Sequence, residues 1–405
     1  MKGNALIGQS GGPTSVINAS LAGVIQASRE HPEIQRVLGL HFGIEGLMEE
    51  KFYDLGAQSS ATIEGLLATP SSALGSSRHK VKDSDLPRIL EIIRKYDVRW
   101  FFLIGGNDTM DTIHRVTAYC RSQGYELTGV GIPKTVDNDL FGTDHTPGFG
   151  SAARSNILNV QQAGILARDR RRVDRFVVYQ TIGRDAGWLA AATALARQDP
   201  DDAPHLICMP ERPFDRESFL ARAKAIVDRI GWVSVVCGEG IRYADGTPVS
   251  ASTVKDKFNN VEYGSSGGAS AGLRLHGMLS ETFGWRGEFQ ITESLIMCDW
   301  VRSSERDRAE ARQCGIEAVR LAAAGKGGVM VTMERKPGPD YAVLYGTVPL
   351  ADVAVRAKPM PDHFINAEGT WPTPAFLDYC RPLVGELPRF ARLEPRFFSL
   401  PQGGA

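Results

Sequence analysis

The chain has 405 residues, 42% of them hydrophobic, and its 46 Lys plus Arg nearly balance 47 Asp plus Glu, for a net charge of -1. A chain of that size buries a sizeable core and predicts two domains or one large one. The even charge leaves nothing to drive nonspecific binding to nucleic acid, and no apolar run approaches the roughly 20 residues needed to span a bilayer.

Ala5 to Gly8 is the first strand candidate, followed by a Gly-rich turn and a helix from about Ser15 to Arg29. Arg36 to Phe42 is the next strand. Asp85 caps a helix that ends near Lys95, with Pro87 in its first turn. WFFLIG (100–105) is almost continuously apolar and predicts a buried central strand. A helix from about Thr109 to Gln123 and a strand from Gly129 to Ile132 follow.

After the Gly/Pro-rich stretch LFGTDHTPGFG (140–150) the rhythm repeats. RFVVYQT (175–181) precedes a helix near Ala186 to Arg197. HLICM (205–209) precedes a helix near Arg216 to Ile230, and WVSVVC (232–237) is a strand. Helices at Ala271 to Phe283 and Asp307 to Ala324 bracket a strand at Phe289 to Thr292, and GVMVTM (328–333) is the last core strand. This alternation predicts an α/β fold of parallel sheets with helices on both faces. The expected units are 1–145, 146–330 (some of 265–330 returning to the first) and 331–405, a last strand with a Pro-rich extension over the surface. Cys120, Cys208, Cys237, Cys298, Cys314 and Cys380 form no CxxC pair and read as core thiols of a cytoplasmic protein. MKGNALIGQSGG is no signal peptide.

In such sheets ligands collect beyond the carboxyl ends of the strands. Those ends carry QSGGPTS, GGNDTMD, PKTVDND, IGRDAG, PER and GEG, so one polar cleft is expected. Neither a P-loop nor GxGxxG is spelled out. There is no HxH or HxxxH zinc pattern. Gly11 and Gly12 let backbone N–H groups approach an anion ahead of a helix N-terminus, or serve only as a tight turn. Asn107 and Asp108 stand at a helix start, as caps or as ligands. Asp137 and Asp139 lie two apart in a loop, as Asx-turn residues or as a base and a Mg²⁺ partner. Arg184 offers a planar fork for phosphoryl oxygens, or is a surface arginine. Arg78 and Lys80 sit in a Gly/Ser loop, GSSRHK, of the kind that is often merely solvated.

Together, SGGPTSVINA, GSSR, IGGND, PKTVDND, IGR and PE resemble, in order and spacing, the phosphofructokinase family over roughly residues 4–330, and within it the pyrophosphate-dependent members most. The resemblance implies two Rossmann-like three-layer α/β/α domains with mostly parallel sheets and the active site between them, the donor and Mg²⁺ on the first and fructose 6-phosphate on the second. It implies reversible, Mg²⁺-dependent phosphoryl transfer from pyrophosphate to the 1-hydroxyl of fructose 6-phosphate, a step of glycolysis and gluconeogenesis. By the same resemblance Asp137 is the general base, a role typically worth about 10²–10⁴-fold, and Lys134 and Arg184 complete the catalytic set. Asn107, Asp108 and Asp139 lie at the metal, with Asn107 where the family usually carries aspartate. Gly11, Gly12, Arg78, Lys80 and Asp108 serve the donor. Thr135, Asp139, Ile182, Gly183, Glu211 and Arg302 serve the sugar phosphate or its surroundings, with Asp299 where the family has histidine or tyrosine. Arg175 reaches a neighbouring subunit's 6-phosphate site, which implies a homodimer or homotetramer; Arg286 is a further cross-subunit candidate.

Two positions bear on the donor. In ATP-using members the positions of Asp108 and Lys134 are glycine. A carboxylate about 4 Å from an α-phosphate charge, at an effective dielectric near 20, repels it by roughly 4 kcal/mol. Lys134 fills the same space and offers a counter-charge to a compact diphosphate. The arginines of the ATP-dependent bacterial effector site are replaced by Ala22 and Gln26, so no ADP or phosphoenolpyruvate control of that kind is expected. The alternatives are an ATP-dependent phosphofructokinase and a non-catalytic sugar-phosphate-binding regulatory subunit. The presence of Asp137 and Arg184 argues against the second. A nicotinamide dehydrogenase would need the glycine fingerprint that is missing.

Overall fold

Strands that are apolar on both faces need helices on both sides, and the computed structural model, which describes residues 1–77, 79–250, 270–338, 340–394, 396 and 398, has that layering. The first five strands are β1 (Gly3–Gln9), β2 (Ile34–Leu40), β3 (Phe52–Asp54), β4 (Val98–Gly105) and β5 (Thr128–Pro133). The chain then builds β6 (Phe176–Thr181), β7 (Leu206–Cys208), β8 (Val233–Gly238) and β9 (Gly287–Ile291) before adding β10 (Val329–Arg335) and β11 (Val343–Pro349) to the first group. A seven-stranded sheet runs β11-β10-β5-β4-β1-β2-β3, and a four-stranded sheet runs β7-β8-β6-β9. The smaller sheet is parallel throughout. In the larger one only the outermost pairs, β10 with β11 and β2 with β3, are antiparallel.

The two-residue period of a strand divides the core. Trp100, Phe102 and Ile104 join Ala5, Ile7 and Val130 in one layer, while Phe101 and Leu103 join Leu6 and Leu40 in the other. The first layer is closed by the helices Ile17–Ser28 and Glu305–Ala323. Two glycines allow those helices to touch. A Cβ on Gly315 would lie 2.2 Å from the Ser20 carbonyl oxygen, and one on Gly23 would lie 2.1 Å from that of Arg312. Ala22 is fully buried beside this crossing, and the Gln26 side chain accepts from Arg312 Nε at 2.8 Å. The opposite layer is closed by Leu86–Lys95 and Asn107–Ser122.

Most expected strands and helices occur within a few residues of their sequence limits. The expected helix at Ala186 to Arg197 is instead a short helix, Trp188–Ala192, continued by a 3₁₀ turn, Thr193–Ala196. The helix Phe149–Asp169 has no counterpart in the sequence reading, because its start (FGSAARS) is glycine and small residues. Nor does the Pro-rich C-terminal region only wrap the surface. It supplies β11, the helix Leu350–Val355 and the helix Pro374–Val384, and buries Leu350, Val353, Phe376, Cys380 and Val384. Cys120, Cys237, Cys314 and Cys380 are buried thiols, and Cys208 and Cys298 are half-buried. Among the described residues no helix is long and apolar enough to cross a membrane.

The larger sheet changes direction at β1. The chain passes to β2 on one side, then resumes on the other with β4. A crevice opens where neighbouring strand ends send their loops apart, and at this one stand the loops after β1 and β4.

Candidate active site

Four strand ends meet in a cleft of about 640 Å³. It is lined by Gly11 and Gly12 after β1, Asn107 and Asp108 after β4, Lys134, Thr135 and Asp139 after β5, and Arg184 after β6, with Lys80 at one side. Arg78 lies outside the described residues.

The loop after β1 contains Gly11, at φ +77, a left-handed geometry that favours glycine. Its N–H donates to the Ser77 carbonyl at 3.2 Å, tying the loop to the Gly/Ser segment. The space a Cβ would take is occupied: it would lie 3.3 Å from Lys134 Nζ. Lys134 is buried, its backbone N–H donates to the Gly105 carbonyl at 3.1 Å, and its ammonium donates to the Gly12 carbonyl at 2.6 Å. Asp108 is exposed in the first turn of Asn107–Ser122 and pairs with Lys80 at 3.3 Å. A pair that open to water contributes little to stability. The Asn107 amide nitrogen is committed elsewhere, donating to the carbonyls of Val353 at 2.9 Å and Arg356 at 2.7 Å. Only its Oδ1 is left for a cation.

Asp137 is surrounded by the charges of Asp139, Glu239, Arg184 and Lys134, although it is not itself in the cleft lining. Its backbone N–H donates to Thr135 Oγ1 at 3.1 Å, while Oδ1 is shut off from solvent without a hydrogen-bond partner. Burial, then the charges of Asp139 and Glu239, push its carboxyl up to about 7; Arg184 and Lys134 oppose the rise. Burial also raises Asp139, against the Thr135 hydroxyl, Lys358 and Lys134. Gly183, at φ +115, brings backbone close to this carboxylate pair: a Cβ there would lie 3.9 Å from Asp137 Oδ1.

On the β6 and β8 side, Gly183 N–H donates to Glu239 Oε1 at 3.3 Å. Burial pushes Glu239 to about 7. The GEG loop stood out in the sequence as a strand end, but nothing there singled out Glu239. Glu211 accepts from Gly187 N–H at 2.7 Å, its Oε2 is buried without a partner, and burial raises its carboxyl. Ile182 packs its side chain into the core.

Asp137, Ile182, Gly183 and Glu211 are not themselves in the cleft lining, and neither are Arg175 and Arg302. Arg175 precedes β6 at its amino end, whereas Gly183 and Arg184 follow its carboxyl end. It donates to the Gly231 carbonyl at 3.1 Å, so within one chain it is not part of the cleft. Arg302 donates to Asn159 and lies 3.8 Å from Asp299. Arg286 pairs with buried Asp174 at 3.0 Å.

The sequence profile of the phosphofructokinase family matches residues 4–322. The chain belongs to this family. It is 39% identical over 394 residues to the pyrophosphate--fructose 6-phosphate 1-phosphotransferase of Xanthomonas campestris, covering 95% of this chain and 93% of that one. It is 38% identical over 389 residues to the enzyme of the same name from Rhodospirillum rubrum, covering 95% of both chains. Among solved structures, the pyrophosphate-dependent phosphofructokinase of Marinobacter aquaeolei superposes with a TM-score of 0.86 at 34% identity, over 96% of this chain and 94% of that one. The two-sheet α/β architecture with its inter-sheet cleft is thus the family's fold.

Proposed function

We propose that the chain transfers a phosphoryl group reversibly between pyrophosphate and the 1-hydroxyl of fructose 6-phosphate, giving fructose 1,6-bisphosphate and phosphate. The observation that carries this reading is the sealed, unpartnered Oδ1 of Asp137, whose carboxyl feels the charges of Arg184 and Lys134 from two cleft-lining loops. A carboxyl held near 7 is poised to accept a proton at neutral pH.

In the proposed mechanism the diphosphate lies over Gly11 and Gly12, with Lys134 and Lys80 as counter-charges. Lys134 donates to the Gly12 carbonyl, which holds its ammonium charge against this loop. Fructose 6-phosphate enters from the Gly183–Arg184 and Glu211 side. Asp137 takes the proton of the 1-hydroxyl as its oxygen attacks the donor phosphorus, and Arg184 and Lys134 hold the charge of the transferred group. Such catalysis is chiefly positioning and electrostatics.

A Mg²⁺ ion fits the donor set in one form. Asp139, Asp108 and Asn107 line the cleft and offer hard oxygens. That suits a cation shared with phosphate oxygens and water. When bound, it would neutralise developing charge on the transferred phosphoryl group.

Asp108 favours pyrophosphate over ATP, because its carboxylate meets the charge of a longer donor at the cleft mouth. Arg175, remote from its own cleft, is suited to reach a neighbouring subunit's, and we infer a homodimer or homotetramer. A coupled assay with each donor tests the reading. Turnover with pyrophosphate and none with ATP is expected; ATP turnover without pyrophosphate turnover would overturn the donor assignment.

A further inference from the structure

Lys358 and Tyr379 lie beyond the segment matched to the family, yet both act on the PKTVDND loop. Between the two aspartates stands Asn138, fully buried and at φ +56. Left-handed backbone is unusual for a side chain other than glycine, although asparagine tolerates it best. Asp139 lines the cleft while the Asn138 amide is buried in the protein.

That amide is read at both ends. Asn138 Oδ1 accepts from Lys358 Nζ at 3.3 Å, and Asn138 Nδ2 donates to the Tyr379 hydroxyl at 2.9 Å. A flipped amide would set its NH₂ against an ammonium, so only one orientation fits. Lys358 Nζ also donates to the carbonyls of Thr143 at 3.1 Å and Asp144 at 2.7 Å, which uses its three N–H groups. The ring of Trp188 covers it at 4.9 Å. Its backbone N–H donates to the Asp139 carbonyl at 2.7 Å, next to a bridge between Ala357 and Leu140. Tyr379 donates onward to the Asp144 carbonyl at 2.9 Å. The same segment is gripped from the other loop by Asn107, through the Val353 and Arg356 carbonyls.

We propose that Lys358 is a positioning residue: together with Tyr379 it locks the Asn138 amide and so aims Asp137 and Asp139 into the cleft. Three oxygens converge on its ammonium. An apolar side chain would take this donor from the Asn138 and Thr143 oxygens, leave the Asp144 carbonyl to Tyr379 alone, and loosen the loop between the aspartates. The inference rests on Asp137 acting as the base. A displacement of about 1 Å at a reacting group can cost on the order of 100-fold.

The test compares Lys358→Met, Asp137→Asn and the double variant in the pyrophosphate assay, with thermal unfolding of each. Lys358→Met is expected to lower kcat by about 10–100-fold and to change KM for either substrate by less than about threefold. In the Asp137→Asn background the same substitution should add little, because two residues that act through one base are not additive. An equal further loss in that background would mean that Lys358 only maintains the fold, and wild-type kcat in Lys358→Met would equally overturn the proposal. Wild-type kcat in Asp137→Asn would instead remove the base assignment. If Lys358→Met does not fold, Tyr379→Phe decides: it removes one hydroxyl, and should lower kcat with KM retained and with the same non-additivity.

Discussion

The Lys134 ammonium donates to the Gly12 carbonyl at 2.6 Å, which links the end of β5 to the loop after β1 across the intervening β4. The cation is thus docked against the loop after β1 by a backbone carbonyl. Lys134→Ala is expected to reduce pyrophosphate turnover by about 10²–10³-fold, the range for removing one preorganised charge-stabilising group. Steady-state kinetics check this; a loss confined to KM would mean the ammonium only binds the donor.

Asp108, proposed to exclude ATP, is exposed in the same cleft and paired with Lys80. Asp108→Gly should weaken ATP exclusion, measured as ATP competition against pyrophosphate. A repulsion of roughly 4 kcal/mol corresponds to about a thousandfold, but screening at this open position will leave only part of it. ATP inhibition identical to wild type in that variant would place the gate elsewhere.

Asp137 carries opposite consequences for rate and stability. Burial, with Asp139 and Glu239, holds its proton to about pH 7, whereas the unfolded carboxyl releases it near 3.8. Ionisation therefore opposes folding: the cost is absent below about pH 3.8 and complete above about pH 7. Asp137→Asn should lower kcat by about 10²–10⁴-fold while raising the melting temperature at pH 8 and leaving it nearly unchanged at pH 4. In the active protein kcat/KM should fall as pH drops through about 7. Glu239→Gln removes one of the raising charges and should move that limb to lower pH.

His145 works with the opposite sign. Its ring is almost wholly buried between Asp144 and Glu310, each at 2.8 Å. Burial alone would lower its pKa, but the two carboxylates outweigh burial and raise it above 6.5. The imidazolium's contribution is then complete below pH 6.5 and is lost as pH rises through the folded value. His145→Gln should cost about 3–5 kcal/mol, as when one partner of a buried ionic network is removed. Its stability deficit should shrink at alkaline pH, measured by denaturant unfolding across pH 6 to 9. A constant deficit would mean the ring packs without charge.

What the sequence disclosed follows from range. Apolar runs ended by glycine or charge are local signals, and they located the strand ends that line the cleft: Gly11, Asn107, Lys134, Asp137 and Arg184 all stand at such ends. Helix Phe149–Asp169 escaped because small residues at its start look like a loop. The partners of Asn138 escaped for another reason. Lys358 is 220 residues away and Tyr379 is 241, and neither sits in a motif whose spacing carries chemistry. Glu239 was visible only as one charge in a Gly-rich loop; its effect on Asp137 arises from two sheets facing each other, which no single segment encodes.

The helix crossing behind the first core layer offers a prediction free of chemistry. Gly315 and Gly23 let two helices meet backbone to backbone, and a Cβ on Gly315 would lie 2.2 Å from the Ser20 carbonyl oxygen and 3.0 Å from the Val24 nitrogen. Neither atom belongs to a flexible side-chain tip, so Gly315→Ala must push the helices apart. Overpacking of this kind costs about 1–3 kcal/mol, more than the gain in helix propensity from replacing glycine, which is about 1 kcal/mol. The two effects oppose, and the clash should win. Gly315→Ala is expected to melt several degrees lower with kcat per folded molecule unchanged. A half-buried control, Gly277→Ala, within the helix Ala271–Phe283, meets only the tip of Glu281 at 3.6 Å and should be neutral or stabilising. If both variants gain stability, the close crossing is not what keeps glycine at 315.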